Sequence, residues 1–557
     1  SDGLEMDLPL IIPRPTETVA LFNSTTESME EQIKIPESIY PFESFIQVLA
    51  SSSALSGLKG SVDFLTNYPY FCLEQRLSRI LPFVFAEDLI IDFRLSEMSR
   101  RDIRQYVQKE IDDIYSFQRP NGGFSLWPES LNESAINSCY AAFALIQAKQ
   151  ADYVVDKQRL DQVTNYLKNL VRGRLERTSY PYSEVSWQTV QSFALYCLAL
   201  LNSPEPAYAE KLYTGKDQLS LLGKAFLLKA LHEGTGSLAA QNTLLQDLLN
   251  KIKISPTEAH FEEEKGRMDP WIYSSNLRTT AVILQSMITV GSDNPLVSQI
   301  AQWLVQRRQA GRWATTQENF YVFYALNEFY KQYEDIHPDF KLDIALDNKE
   351  LMKVVFKEPI QDIEKAEISL SQFYPGSTIP LRISKDGQGT LFYETRMTYT
   401  PQKQLSARDE GFTIYKEITS MDGLPLRSVS AGSLVVVSLQ IIVPKESLYV
   451  VVNDPLPAGF EAVNPTFLTE SEEQQRILNQ MDSASQGSGR WRGFNHIEMH
   501  DDRILLFADS LLPGIHTHRY LARALTPGLF YAPGTKIEEM YSPEVFGRSS
   551  ETTIEIK

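Results

Sequence analysis

A chain of 557 residues is too long for one hydrophobic core and predicts about two to four domains. With 53 basic against 71 acidic residues the formal charge is −18, which argues against nucleic acid or an anionic membrane as the main partner. No apolar run approaches the roughly eighteen residues of a transmembrane helix, and 43% hydrophobic with 22% charged residues is an ordinary globular balance.

The opening SDGLEMDLPL lacks the basic and apolar regions of a signal peptide. It runs straight into LPLIIPRPTETVALF, which is rich in Pro, Thr and branched residues and has no helical period. Residues 1–41 are therefore expected to be β and loop, in a piece cut from a longer chain. Residues 42–334 change pattern. FIQVLASSSAL, CLEQRLSRILPFV, YAAFALIQAKQ, QTVQSFALYCLALL, SLLGKAFLLKALHEG, LRTTAVILQSMITV and ENFYVFYALNEFY each carry apolar residues at helical spacing. Similar lead-ins recur before them: GGFSLWPESLNES, YPYSEVSW, DPWIYSSN and GRWATTQEN. Their spacing is that of helix-pair repeats. Inner helices rich in Ala and small polar residues can pack closely around an axis, so an α/α toroid is predicted.

Residues 335–405 and 406–557 return to β, with alternating or branched runs such as KLDIALDNKELMKVVF, SLVVVSLQIIV and ESLYVVVNDPLPAGFEAV. In GTLFYETRMTYT, Leu391, Tyr393, Met397 and Tyr399 share one face. Residues 469–491 are polar and expected to be an exposed loop with one short helix. The predicted fold is multidomain α plus β: a toroid inserted in one β domain, then a β-sandwich.

The cysteines are Cys72, Cys139 and Cys197, an odd number. No CxxC or Cys/His cluster offers a metal site, and no cofactor is expected. Cys139 and Cys197 sit in apolar runs and are expected to be buried core. Cys72 differs. It stands three residues before Gln75, directly after Tyr68, Pro69, Tyr70 and Phe71. A thiol and a carboxamide at this spacing can lie on one side of a turn. Attack of the Cys72 sulfur on the Gln75 carbonyl, with loss of ammonia, would close a thiolactone ring. A thioester lacks amide resonance and stores an electrophile, to be used once and kept dry until then. Tyr68, Tyr70 and Phe71 are bulky groups suited to that shielding. The alternative is a buried cysteine near a helix start, with Gln75 simply on the first turn.

NYPYFCLEQRLSRILPFV resembles the thioester segment of the bacterial α2-macroglobulins, in the complement and α2-macroglobulin superfamily, whose pattern is close to YPYGCxEQxxSR. FQRPNGGFSLWP, GRWATTQEN and LRTTA resemble its toroidal thioester domain. NDPLPAGFEAVNP and the stretch from IEMHDDR to SPEVFGRS resemble its C-terminal domain. The resemblance implies a CUB-like domain split over 1–41 and 335–405, a thioester domain over 42–334, and a macroglobulin-type sandwich over 406–557. It implies a broad-spectrum protease trap of the periplasm or cell envelope rather than an enzyme. Cleavage of a bait would expose the thioester, and a lysine of the target protease would attack Gln75. The bait and the upstream macroglobulin domains would be partners within the same chain, and the resemblance leaves open whether a lipid anchor precedes them. By the same resemblance EEMYSPEVFGR is a second wall, with Met540 or Tyr541 opposite Tyr68 or Tyr70.

One residue departs from the family pattern: Phe71 stands where glycine is usual. Either the turn differs, or Phe71 adds to the shield; a glycine conformation would strain it. Some superfamily members pass the acyl group to hydroxyls through a histidine. His232 and His260 lie in contexts unlike that site and read as surface or helix-end residues, so direct aminolysis is expected. Asp501, Asp502 and Arg503 read as a turn with an ion pair.

Two other functions compete. One is an inert scaffold or adhesion module whose thioester never forms. The other is an enzyme, because FQRPNGGFSLW and RRQAGRW resemble the Gln–Trp repeats of terpene cyclases. IDDIY and HDDR do not supply the protonating acidic motif such an enzyme needs, and the zinc set of protein prenyltransferases cannot be assembled.

Overall fold

A computed structural model describes residues 16–53, 57–175, 180–234, 236–255, 258–309, 311–333, 338–357, 363–402, 406–463 and 493–557. The polar segment 469–491 lies outside them.

The helical part comprises α1 (Lys59–Thr66), α2 (Leu73–Asp92), α3 (Arg100–Ile114), α4 (Ala135–Gln150), α5 (Lys157–Val171), α6 (Glu184–Leu200), α7 (Pro206–Thr214), α8 (Leu221–Glu233), α9 (Leu238–Leu249), α10 (Asn276–Thr289), α11 (Leu296–Gln306) and α12 (Thr316–Tyr333). The even-numbered helices form the inner ring. α2 packs on α4, α4 on α6, α6 on α8, α8 on α10 and α10 on α12; α12 closes the ring on α2. Inner helices are buried nearly all round, as in α4 and α8, so they show no one-sided apolar stripe. Outer helices such as α3, α5 and α11 bury one face only. Three of the recurring lead-ins carry helix caps, Ser134, Ser183 and Ser275, and Ser220 caps α8 in the same way; each accepts a backbone N–H of the first turn.

The middle of the ring is filled. Phe85 stacks on Tyr324 at 4.0 Å, and Phe193 on Phe226 at 4.4 Å, with Phe143 and Phe320 between them. Cys139 and Cys197 are fully buried there, as expected. Lys229 is buried beside them, its ammonium 4.3 Å from the Tyr196 ring, and burial pulls its pKa down to about 7.

The β segments flanking the toroid make one domain. One sheet orders the strands Glu17–Thr25, Leu391–Tyr399, Phe45–Ser51 and Glu364–Ser369. The other orders Met29–Lys34, Thr378–Gln388, Asp339–Leu346 and Lys349–Phe356. Each sheet takes strands from both sides of the helical ring, so the toroid is inserted between them. Leu391, Tyr393 and Met397 point into the shared core and Tyr399 packs at its edge, as their alternation predicts. FIQVLASSSAL corrects the sequence reading. Phe45–Ser51 is a strand, not a helix, and the first β part therefore extends past residue 41. Ile46, Val48 and Ala50 alternate into the core, and this period of two outweighs the helical spacing read from the same residues.

The C-terminal segment forms a sandwich. A six-stranded sheet with Ser447–Pro455 and Arg503–Leu511 paired in its interior faces a four-stranded sheet carrying Leu434–Val443. Its core holds a buried ion pair, Lys416 Nζ to Asp454 Oδ1 at 2.7 Å, and Asp454 also accepts from Thr535 and Tyr520. Asp502 and Arg503 form the expected ion pair at 2.6 Å.

Two central strands are buried on both faces. Val450, Val452, Ile504 and Leu506 point into the sandwich, while Tyr449, Val451, Leu505 and Phe507 point into the toroid's core. This alternation fastens sandwich to toroid. At the same contact His496 stacks on Trp127 at 4.3 Å, and its Nδ1 lies 3.2 Å from Glu129 of the toroid. Asp509 accepts the Tyr180 hydroxyl at 3.3 Å, and burial raises its carboxyl to about 6.

Two predictions follow from these buried charges. Asp454→Ala leaves the buried Lys416 charge without this counter-ion and two hydroxyls without their acceptor, and costs on the order of 3–5 kcal/mol in chemical denaturation. The folded state holds the Asp509 proton to a higher pH than the unfolded chain does. Its contribution to stability is therefore largest at acid pH and falls as pH rises from the ordinary aspartate range through about 6. Asp509→Asn should raise the melting temperature at pH 7.5 and leave it nearly unchanged at pH 4.

Candidate functional site

The loop before α2 runs Tyr68, Pro69, Tyr70, Phe71 and delivers Cys72 as the N-cap, with φ −63° and ψ 164°. Gln75 is the third residue of the helix. N-cap and N3 side chains reach back toward one another in a capping box, and here they are a thiol and a carboxamide. The Cys72 N–H donates to Gln75 Oε1 at 3.1 Å, while the Cys72 sulfur faces the backbone N–H of Gln75. Cys72 is 0% exposed and Gln75 1%. The next amide, Leu73 N–H, donates to Leu126 O at 3.0 Å, so the GGFSLWP loop braces this helix start.

Glu74, between the two, is the organising residue that the sequence reading passed over. Its carboxylate is fully buried, and among the described residues no cation forms an ion pair with it. Ser78 Oγ donates to Oε1 at 2.5 Å and Gln317 Nε2 at 2.8 Å; Thr316 Oγ1 donates to Oε2 at 2.7 Å, as does the Tyr541 hydroxyl. Thr316 and Gln317 belong to GRWATTQEN, and Tyr541 to the C-terminal sandwich. Glu74 thus ties two sequence motifs and two domains to one carboxylate. The turn before α12 needs its glycine: Gly311 takes φ 78°, and a Cβ there would lie 2.5 Å from Glu394 Oε1.

The sandwich brings Met540 and Tyr541 onto the site. Gln75 Nε2 donates to Met540 Sδ at 3.2 Å, and the Tyr541 hydroxyl lies 3.9 Å from Cys72 Sγ. Tyr68 and Tyr70 pack edge to face at 5.4 Å, and Tyr70 meets Phe507 of the sandwich at 5.6 Å. Phe71 turns elsewhere. It is not among the residues with positive φ, so the turn avoids the glycine conformation. Its ring lies under Arg79 at 4.3 Å and Arg76 at 5.4 Å. Arg79 also donates to Tyr68 O at 2.5 Å, which holds the aromatic loop in place.

Tyr273 and Tyr449 were not foreseen either. Both have left-handed backbones, with φ 57° and 52°, and their rings meet at 5.1 Å. Both touch Tyr541, at 4.5 and 5.2 Å. Non-glycine residues in this region are strained and persist only where their surroundings hold them. Tyr449 O accepts the Met540 N–H at 2.9 Å, so the strained strand residue sets the turn that carries Met540 and Tyr541. No spacing or motif marks such residues in a sequence.

Burial pushes the Cys72 thiol far above its ordinary range, with the Glu74 charge adding to it, despite the opposing backbone N–H groups. His232 pairs with Gln241, and His260 stacks on Trp303; the contacts described for them are not with Cys72 or Gln75. Among the described residues no group of three or more His, Cys, Asp and Glu is placed to hold a metal.

Comparison with known proteins agrees with this architecture. Residues 44–176 match the family model described as A-macroglobulin TED domain, and 411–544 match Bacterial Alpha-2-macroglobulin MG10 domain. The chain is 25% identical to an alpha-2-macroglobulin homolog of Nostoc sp., over 98% of this chain and 28% of that protein. It is 26% identical to alpha-2-macroglobulin of Escherichia coli, over 89% of this chain and 29% of that protein. The chain therefore spans under a third of the length of these relatives. The crystal structure of native E. coli alpha-2-macroglobulin from MG7 to the C-terminus superposes with a TM-score of 0.78 at 22% identity, covering 98% of this chain and 82% of that one. The structure of Salmonella alpha-2-macroglobulin reacted with methylamine gives 0.78 at 23% identity, covering 98% and 34%. A TED domain model thus matches around the Cys72 helix and an MG10 domain model matches the segment supplying Met540 and Tyr541, and the chain is similar over nearly its whole length to the C-terminal part of bacterial alpha-2-macroglobulins.

Proposed function

We propose that this chain is the reactive part of a protease trap, and that Cys72 and Gln75 form an internal thioester. The observation that carries the reading is the pairing of a thiol N-cap with a carboxamide N3 at a buried helix start, walled by Met540 and Tyr541 of another domain. In formation, the Cys72 sulfur bonds to the Gln75 side-chain carbon and the carbon–nitrogen bond breaks. Ammonia departs with the thiol proton. In use, a lysine amine of the target protease bonds to the same carbon, the carbon–sulfur bond breaks, and the sulfur takes a proton. The Cys72 N–H, aimed at Gln75 Oε1, would stabilise the oxyanion in both steps. The chain turns over no substrate; the acyl group is used once.

On this reading the two-sheet domain is CUB-like and the four segments follow the family order. The bait and further macroglobulin domains belong to the same protein, at the periplasm or cell envelope, and their movement on bait cleavage withdraws Met540 and Tyr541. The alpha-2-macroglobulin of Salmonella is described as reacted with methylamine, the smallest analogue of a lysine side chain with a carbon on its amine, which supports amines as nucleophiles. The inert-module reading loses its motive, because Phe71 avoids the strained conformation. The cyclase reading finds touching aromatic rings where a substrate cavity is needed.

Intact mass tests the proposal. The protein should weigh one ammonia less than its sequence, then gain one methylamine with release of one titratable thiol. A mass equal to the sequence, with Cys72 already free, would sink it. A mass one water above the thioester form, with a free thiol, would show a bond formed and since hydrolysed.

A further inference from the structure

A cavity of about 470 Å³ opens beside the site, between the loop before α2, the turn before α12 and the strand Lys536–Glu539. Its rim includes the exposed residues Asn67 and Ala314, and buried Tyr70 and Met540 line it more deeply. Met540 is the residue whose sulfur accepts Gln75 Nε2 at 3.2 Å. One side chain therefore separates the Gln75 nitrogen from a cavity with an exposed rim.

From this we infer that the cavity is the site through which a primary amine reaches Gln75, with Met540 as its gate. The inference rests on the proposed thioester and adds its direction of attack. Thioester formation and aminolysis pass through tetrahedral carbons of the same kind, bearing one sulfur and one nitrogen. By microscopic reversibility an incoming amine nitrogen follows the path by which ammonia leaves. Gln75 Nε2 marks the start of that path, and it points at Met540. On its other side the carboxamide is fixed, because Oε1 accepts the Cys72 N–H.

The lining suits an amine on a flexible stem. Tyr70 and Met540 offer apolar wall to a methylene chain, and Glu538 is the acidic residue of the lining. Glu538 Oε2 already holds one lysine, Lys536, at 2.5 Å, and the Tyr70 hydroxyl lies 3.5 Å from Oε1. An arriving ammonium would exchange with Lys536 there, give up its proton to solvent water at the exposed rim, and pass as the free amine over Met540.

The test follows thiol release from the thioester-containing protein with methylamine and with n-butylamine as probes. Met540→Ala should speed release by methylamine about tenfold or more. Ala314→Trp, filling the cavity from the rim, should slow n-butylamine at least about tenfold and methylamine less, and should cancel the gain of Met540→Ala in the double variant. Asn67→Trp fills it from another rim position and should act alike, which guards against a folding defect in either variant. Glu538→Gln should raise the methylamine concentration needed for half-maximal rate. If both tryptophan variants keep the ammonia deficit and react with both amines at the wild-type rate, the route is wrong and the thioester stands. Wild-type protein that had never lost ammonia would overturn the thioester reading and this one with it.

Discussion

The start of a buried helix is the constraint on which the rest depends. The first backbone N–H groups of α2 have no partners within the helix, and water is excluded from them. The reciprocal Cys72–Gln75 arrangement and the donation from Leu73 to Leu126 O meet part of that demand. Ordinary capping boxes use a hydroxyl and a carboxylate or amide to satisfy donors. Here the same geometry places a thiol beside a carboxamide, so on the proposed reading the local rule for starting a helix is also what would bring the reacting atoms together.

Keeping that helix start dry requires a lid from another domain, and the lid requires an anchor. Glu74 supplies it. A buried carboxylate without a cation is costly unless its oxygens are hydrogen-bonded. Ser78, Thr316, Gln317 and Tyr541 provide the donors, and Tyr541 comes from the sandwich. Withdrawal of the sandwich would remove one donor and expose the carboxylate to water in the same movement. The contact is therefore strong while closed and has a compensating interaction available on opening.

The sandwich is held by strands with no solvent face. Tyr449, Val451, Leu505 and Phe507 belong to the toroid's core as fully as to their own sheet. A period-two strand normally serves one core and faces water on the other side. Here both sides are apolar, so the alternation that defines a sheet also welds two domains. The left-handed backbones of Tyr273 and Tyr449 are concentrated at this junction, where packing on every side can hold them.

The sequence alone determined much of the fold. Helical spacing located the inner helices, the return to alternation located the flanking strands and the sandwich, and Cys72 with Gln75 could be singled out by spacing and setting. It misassigned Phe45–Ser51, where three alternating core residues outweigh a helix-like run. Met540 and Tyr541 were legible only through a family resemblance, because no local pattern says what a residue more than 460 positions away will cover. Glu74 stood in the quoted motif without a role assigned to it, and Tyr273 and Tyr449 were not singled out at all. Their roles arise from partners far apart in the chain: a carboxylate's four donors, two backbones held in the left-handed region, a cavity bounded by three segments. Periodicity and capping act within a few residues and so can be read in order. Burial, strain and access depend on which distant surfaces meet, and that was decided only when the sandwich closed on the toroid.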